Sequence, residues 1–170
     1  MFDSKKILNI TSQEEFEKYS IEIFNYQFHN NPIYGKFCKL TGKNISNVKS
    51  SYKIPFLPIQ FFKTHKIVSS NQPIQKVFHS SGTTKNTLSK HHVIDLNLYE
   101  DCFLKIFMSF YGHPSKFNII GLLPTYLENE NSSLIYMVNH LIEKSENIDS
   151  GFYLDNFKAL KEKLLYLEKG

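Results

Sequence analysis

The chain has 170 residues, 41% hydrophobic and 21% charged, with a formal net charge of +4. That balance excludes disordered and collagen-like classes and supplies enough apolar material for one sizeable core. Its cations are all lysines, with no arginine, so any grip on phosphate or carboxylate is by point charges rather than a bidentate guanidinium fork.

Cys38 and Cys102 stand far apart and fit no metal or redox spacing, so they read as reduced thiols. The first residues lack the continuous apolar stretch of a secretory signal. Nowhere does the sequence approach the ~20 apolar residues that span a bilayer. These features point to a soluble, cytoplasmic chain without a membrane span.

In chain order, Ser12 with Glu15 forms a capping box before Phe16, Tyr19, Ile23 and Tyr26 at helical spacing. Asn31 as cap, Pro32 at the first helical position and Gly42 as stop predict a second helix. Residues 1–49 therefore read as a helical N-terminal region and 50–170 as an α/β region. From Ser50 to Gln75 three prolines interrupt a non-periodic apolar stretch, which predicts extended segments with a helical turn at "PIQFFK".

A short strand is expected at Val77–His79 and another near His91–Ile94, with a loop between them. Asp95 caps "LNLYEDCFLKIFMSFYG", a helix ending at Gly112. "KFNIIGLLP" reads as a buried strand, "NSSLIYMVNHLIEKSE" as a helix capped by Ser132, "SGFYL" as a short strand and Asp155 as the cap of the last helix. Strands alternating with helices in the second half predict an α/β fold with parallel organisation there. The chain stops on a helix where another strand is due, so 1–170 reads as a single domain or as the N-terminal fragment of a larger one.

The most unusual stretch is "FHSSGTTKNTLSKH". Gly82 lets the backbone approach a ligand without a Cβ in the way. Successive free amides in such a turn form an anion nest. Ser80, Ser81, Thr83 and Thr84 add hydroxyl donors, and Lys85 and Lys90 add charge, so a triphosphate suits the loop. The spacing is neither that of a Walker A loop nor that of a dinucleotide fingerprint. A polar Ser/Thr-rich turn between two strands accounts for the same letters.

The blocks "IPFLPIQFFK", "VFHSSGTT", "SKHH", "LYEDCFLKIF", "LLPTYLENENSSLIYMVNHLI" and "DSGFYL" occur in an order that resembles the LuxE-type acyl-protein synthetases. These are a branch of the acyl-adenylate-forming enzymes. The resemblance runs from about Ile54 to the chain end and implies the N-terminal part of the acyl-adenylate-forming fold. It implies ATP-dependent, Mg²⁺-assisted activation of a carboxylic acid, typically a long-chain fatty acid. The acyl group then passes to a protein acceptor, such as a reductase partner.

By position, Ser80, Ser81, Gly82, Thr83 and Thr84 would wrap the phosphates, and Lys90 would neutralise their charge. Lys85 replaces the glycine that usually ends the family loop. If that position needs a positive φ, a lysine costs on the order of 1 kcal/mol. The adenine, ribose and Mg²⁺ contacts, the lid and the acyl-accepting cysteine of the family belong to later motifs. The 170 residues alone are therefore expected not to complete catalysis, and no catalytic residue is assigned. The alternative is a shortened, non-catalytic relative that binds nucleotide or serves as an interaction module.

Other candidates are secondary. His91 and His92 are neighbours in a strand and face opposite ways, and the remaining histidines are scattered, so no metal site is expected. His79 adjoins the loop and could edge a pocket. Tyr126, with Glu128, follows a buried strand at the end where α/β sheets bind ligands. Ser132 and Ser133 read mainly as capping. Lysines interleaved with acids argue against nucleic-acid binding, and the many aromatics suit a core or an apolar acyl tunnel.

Overall fold

A computed structural model describes residues 4–80, 88–124 and 129–169. It divides into two compact units, Met1–Leu98 and Tyr99–Gly170. The chain is mixed α/β.

The first unit opens with α1 (Ser4–Leu8), α2 (Gln13–Asn30) and α3 (Pro32–Leu40). Ser12 caps α2 as its sequence predicts, its hydroxyl accepting from the Glu15 amide at 3.1 Å. Asn31 closes one helix and starts the next. Its amide donates to the Gln27 carbonyl, and its side chain accepts from the Tyr34 amide at 3.1 Å. One buried residue thus satisfies both helix ends, which is why a single-residue joint suffices. A Cβ on Gly35 would lie 2.5 Å from the Phe28 carbonyl oxygen, so glycine there permits the close packing of α3 on α2.

Phe24, Tyr34, Cys38 and Val48 form the buried cluster, with Ile21, Phe28, Phe37, Ile54 and Leu57 packed around it. Glu17 ties the Ser51–Lys53 turn to α2 by accepting from the Ser51 amide and hydroxyl. Tyr34 donates its hydroxyl to the Pro55 carbonyl at 2.8 Å. The helical turn expected in "PIQFFK" is α4 (Phe61–Thr64).

Strands β1 (Lys76–His79) and β2 (Lys90–Val93) follow, close to where the sequence places them. They are antiparallel. The intervening loop is short enough to return the chain beside itself, and parallel pairing needs a crossover of a dozen or more residues.

α5 (Leu96–Tyr111) begins at the end of the first unit. Asp95 caps it, accepting from the Leu98 amide at 2.9 Å, and the Gln75 side chain accepts from the Leu96 amide at 2.7 Å. Gly112, with φ 87°, ends it.

In the second unit, β3 (Ile120–Gly121), α6 (Ser133–Ser145) and β4 (Gly151–Phe152) make a strand–helix–strand unit with parallel pairing, as expected there. The strand in "KFNIIGLLP" is shorter than its apolar run. Pairing spans only Ile120 and Gly121, because Pro114–Lys116 is a helical turn and Leu122 is already exposed. Ser132 caps α6 as predicted. For α7 (Phe157–Leu167) the cap is Asn156 rather than Asp155, its side chain accepting from the Ala159 amide at 3.1 Å. An oxygen at Asn156 is three residues from that amide, the separation a capping side chain needs.

Candidate functional site

The site is built on the β1–β2 hairpin. Val77 and Phe78 of β1 and Val93 of β2 favour the extended chain, and side chains alternate between the two faces. The register pairs Lys76 with Val93, Val77 with His92, Phe78 with His91 and His79 with Lys90. Directly opposed residues share a face. One face therefore carries Lys76, Phe78, His91 and Val93, and the other carries Val77, His79, Lys90 and His92.

The first face is anchored. Phe78 and Val93 are only 2% and 6% exposed. The His91 ring meets Phe62 of α4 at 6.4 Å, near perpendicular, and Phe78 at 6.5 Å. Desolvation among these aromatics holds the His91 imidazole below its ordinary value.

The second face is cationic. The Nδ1 of His92 is buried with no hydrogen-bond partner among the described residues. Desolvation lowers the pKa of His92 first, and Lys66, Lys90, His91 and His79 lower it further through their charges. Every group acting on it through charge has the same sign, so the face suits an anion.

In sequence, the hydroxyl-rich stretch links β1 to β2. Its base is closed by the Ser80 amide donating to the Ser89 carbonyl at 3.1 Å and the Ser89 amide donating to the Ser80 hydroxyl at 3.0 Å. Ser80 thus accepts within the loop base. The other loop candidates, Ser81, Gly82, Thr83, Thr84 and Lys85, lie outside the described residues, as do Tyr126 and Glu128. Of the predicted site residues, the structure brings together His79, Ser80 and Lys90, with His79 directly across from Lys90.

An apolar cavity of about 320 Å³ lies in the same unit, between α2, α3 and the segments on either side of α4. Ile23, Phe24, Ile54, Leu57, Phe62 and Ile67 form much of its wall, and Ser20, Gln27 and Asn31 supply neutral polar edges. None of its described lining residues is charged. Phe62 belongs both to the cavity wall and to the packing around His91. Lys66, which acts on His92, directly precedes the wall residue Ile67.

Sequence reasoning missed Lys66 and the role of His92. Period-two alternation could have found His92, since it places this residue on the face of Lys90. Lys66 sits in a non-periodic segment whose path only the fold reveals. The cysteines behave as structural residues: Cys38 is fully buried in the core and burial pushes its thiol upward, while Cys102 is half-buried on α5.

Among the described residues, no group of three or more His, Cys, Asp or Glu side chains is arranged to hold a metal ion. The cationic face opposes a bare divalent cation. The lysines of that face suit an anion such as phosphate. No helix among the described residues is long and apolar enough to cross a membrane. No family model matches the chain, and neither a curated protein nor a solved structure matches it.

Proposed function

We propose that the chain is the N-terminal part of an acyl-adenylate-forming ligase of the LuxE type, which activates a carboxylic acid with ATP in the cytoplasm. The carboxylate oxygen attacks the α-phosphorus, and the bond from that phosphorus to the pyrophosphate oxygen breaks. The acyl group then passes to a protein acceptor, such as a reductase partner. The observation that carries this reading is the pair of lysines, Lys90 on the hairpin face of His79 and His92 and Lys66 acting on that face, where the chain runs into the sequence of glycine and hydroxyl residues. Point charges placed where pyrophosphate develops negative charge lower the barrier without forming bonds to it.

The apolar cavity supports a fatty acid as substrate, since a neutral lining receives an alkyl chain and not its carboxylate. Its volume lies at the low end of the ~300–1,000 Å³ range of small-molecule sites. ATP–pyrophosphate exchange by the native polypeptide, across a panel of carboxylates, tests the reading. Exchange that depends on an alkyl carboxylate and falls at least tenfold in Lys90→Ala supports the ligase. ATP binding without exchange identifies a non-catalytic nucleotide-binding module. No ATP binding removes both readings.

A further inference from the structure

We propose that the face formed by Lys66, His79, Lys90 and His92 is a proton-coupled polyphosphate site, in which His92 takes up a proton as the anion binds. This deepens the preceding reading at the same face, and it rests on that reading only for the identity of the anion as a polyphosphate.

The geometry comes first. The hairpin register sets His92 opposite Val77 and Lys90 opposite His79 on a single face, while the other face is packed through Phe78 and Val93. Ser80 and Ser89 continue the pairing one step past the strands on the same end of the hairpin as His79 and Lys90. The Nδ1 of His92 is buried and unpartnered among the described residues, an uncommon state for a buried ring nitrogen.

The charged or titratable groups that reach His92 are Lys66, from the segment after α4, Lys90 and His91 of β2, and His79 of β1. α4 packs against β2 and contributes Lys63, with His65 just beyond its end. Every one of these groups is positive or neutral. An imidazolium added to such a face meets only repulsion and desolvation, so the ring stays neutral while the face is empty. A polyphosphate reverses the sign of the local field and makes protonation favourable.

Coupling is reciprocal, so protonating His92 must tighten the anion by the same factor by which the anion favours the proton. For one proton taken up, affinity gains up to about tenfold per pH unit as pH falls through the window between the free and bound midpoints. The site would therefore hold polyphosphate more tightly near pH 6 than near pH 8. It would also release it as the face returns to the neutral-imidazole state.

The test is an NMR titration of the His92 ring in the full chain, with and without tripolyphosphate, between pH 5.5 and 8. The expected result is a free midpoint below 6.5 that rises by about one unit when tripolyphosphate is bound. His92→Gln should bind tripolyphosphate with a shallower pH dependence than the parent, read by calorimetry at pH 6 and pH 8. Tripolyphosphate that binds without moving the His92 midpoint overturns the proposal. Failure of tripolyphosphate to bind at any pH also overturns it. If His92→Gln does not fold, the ring titration of the parent chain decides alone. Proton-coupled binding by these residues leaves this proposal standing even where the native polypeptide shows no ATP–pyrophosphate exchange, a result that removes only the ligase reading.

Discussion

Single residues set both the chemistry and part of the stability of the first unit. His92 has its pKa lowered by burial and by four surrounding cationic or titratable groups, Lys66, Lys90, His91 and His79. Above about 6.5 the ring is neutral in the folded and unfolded chains, and its contribution to stability is fully present. As pH falls below that value the unfolded chain takes up the proton first, and stability is lost through the lowered folded value. His91 acts in the same direction, through desolvation. Thermal midpoints measured from pH 7.5 down to pH 5.5 without ligand should therefore fall, and His92→Gln should flatten that decline. A parent midpoint that rises on acidification contradicts this account.

Tyr34 offers a second test at this scale. Its hydroxyl donates to the Pro55 carbonyl in the cavity wall, and burial, with Cys38 beside it, pushes its pKa upward. Tyr34→Phe leaves that carbonyl without its donor. The change should cost about 1 kcal/mol in urea unfolding while the ring still fills its place in the core.

Elements are held together by a few close approaches. The packing of α3 on α2 depends on Gly35, where an added Cβ would meet backbone and not a movable side-chain tip. Gly35→Ala should therefore destabilise the chain by about 1–3 kcal/mol, because the Phe28 carbonyl can yield only if the helix shifts. Urea unfolding with the fraction of α-helix followed by circular dichroism reads this, and an unchanged midpoint would show that the helices separate freely.

Glu17 links α2 to the turn at Ser51–Lys53, and hydrogen bonds from the Ser51 hydroxyl and amide lower its pKa. A lowered carboxylate contributes stability above the ordinary value of 4.5 and loses it as pH falls through the folded value. Glu17→Gln should thus lower the thermal midpoint at pH 7 and narrow its difference from the parent toward pH 3.

For the whole molecule, the unit Met1–Leu98 holds both candidate ligand features, a cationic hairpin face and an apolar cavity. If the cavity receives the alkyl chain of the acid, exchange should depend on chain length. Each added methylene should tighten the carboxylate about fourfold, the equivalent of ~0.8 kcal/mol, until the cavity is full. KM for a series of straight-chain carboxylates in ATP–pyrophosphate exchange measures this. A KM indifferent to chain length would place the alkyl chain elsewhere.

Much of the architecture was legible in the residues themselves. Ser12, Asn31, Asp95 and Ser132 cap helices as their side chains predict, because capping is a local matter of one oxygen and an amide two or three residues on. Both hairpin strands were visible for the same reason, as were the glycine stops. Hydroxyl and glycine letters between the strands marked the phosphate-loop candidate, although Ser81, Gly82, Thr83, Thr84 and Lys85 lie outside the described residues.

What the sequence could not decide is the set of relations between distant positions. The antiparallel pairing of β1 with β2, the reach of Lys66 to His92 and the joining of α2, α3 and Phe62 around one cavity all depend on through-space contacts. Local propensity carries no information about those contacts, because they arise only when apolar faces from separate segments are buried together. The sequence by itself determined the elements, their caps and a lysine-only store of positive charge. Only the tertiary structure decided that Lys66, His79 and Lys90 act on His92, since Coulomb forces fall with spatial distance and are indifferent to separation along the chain.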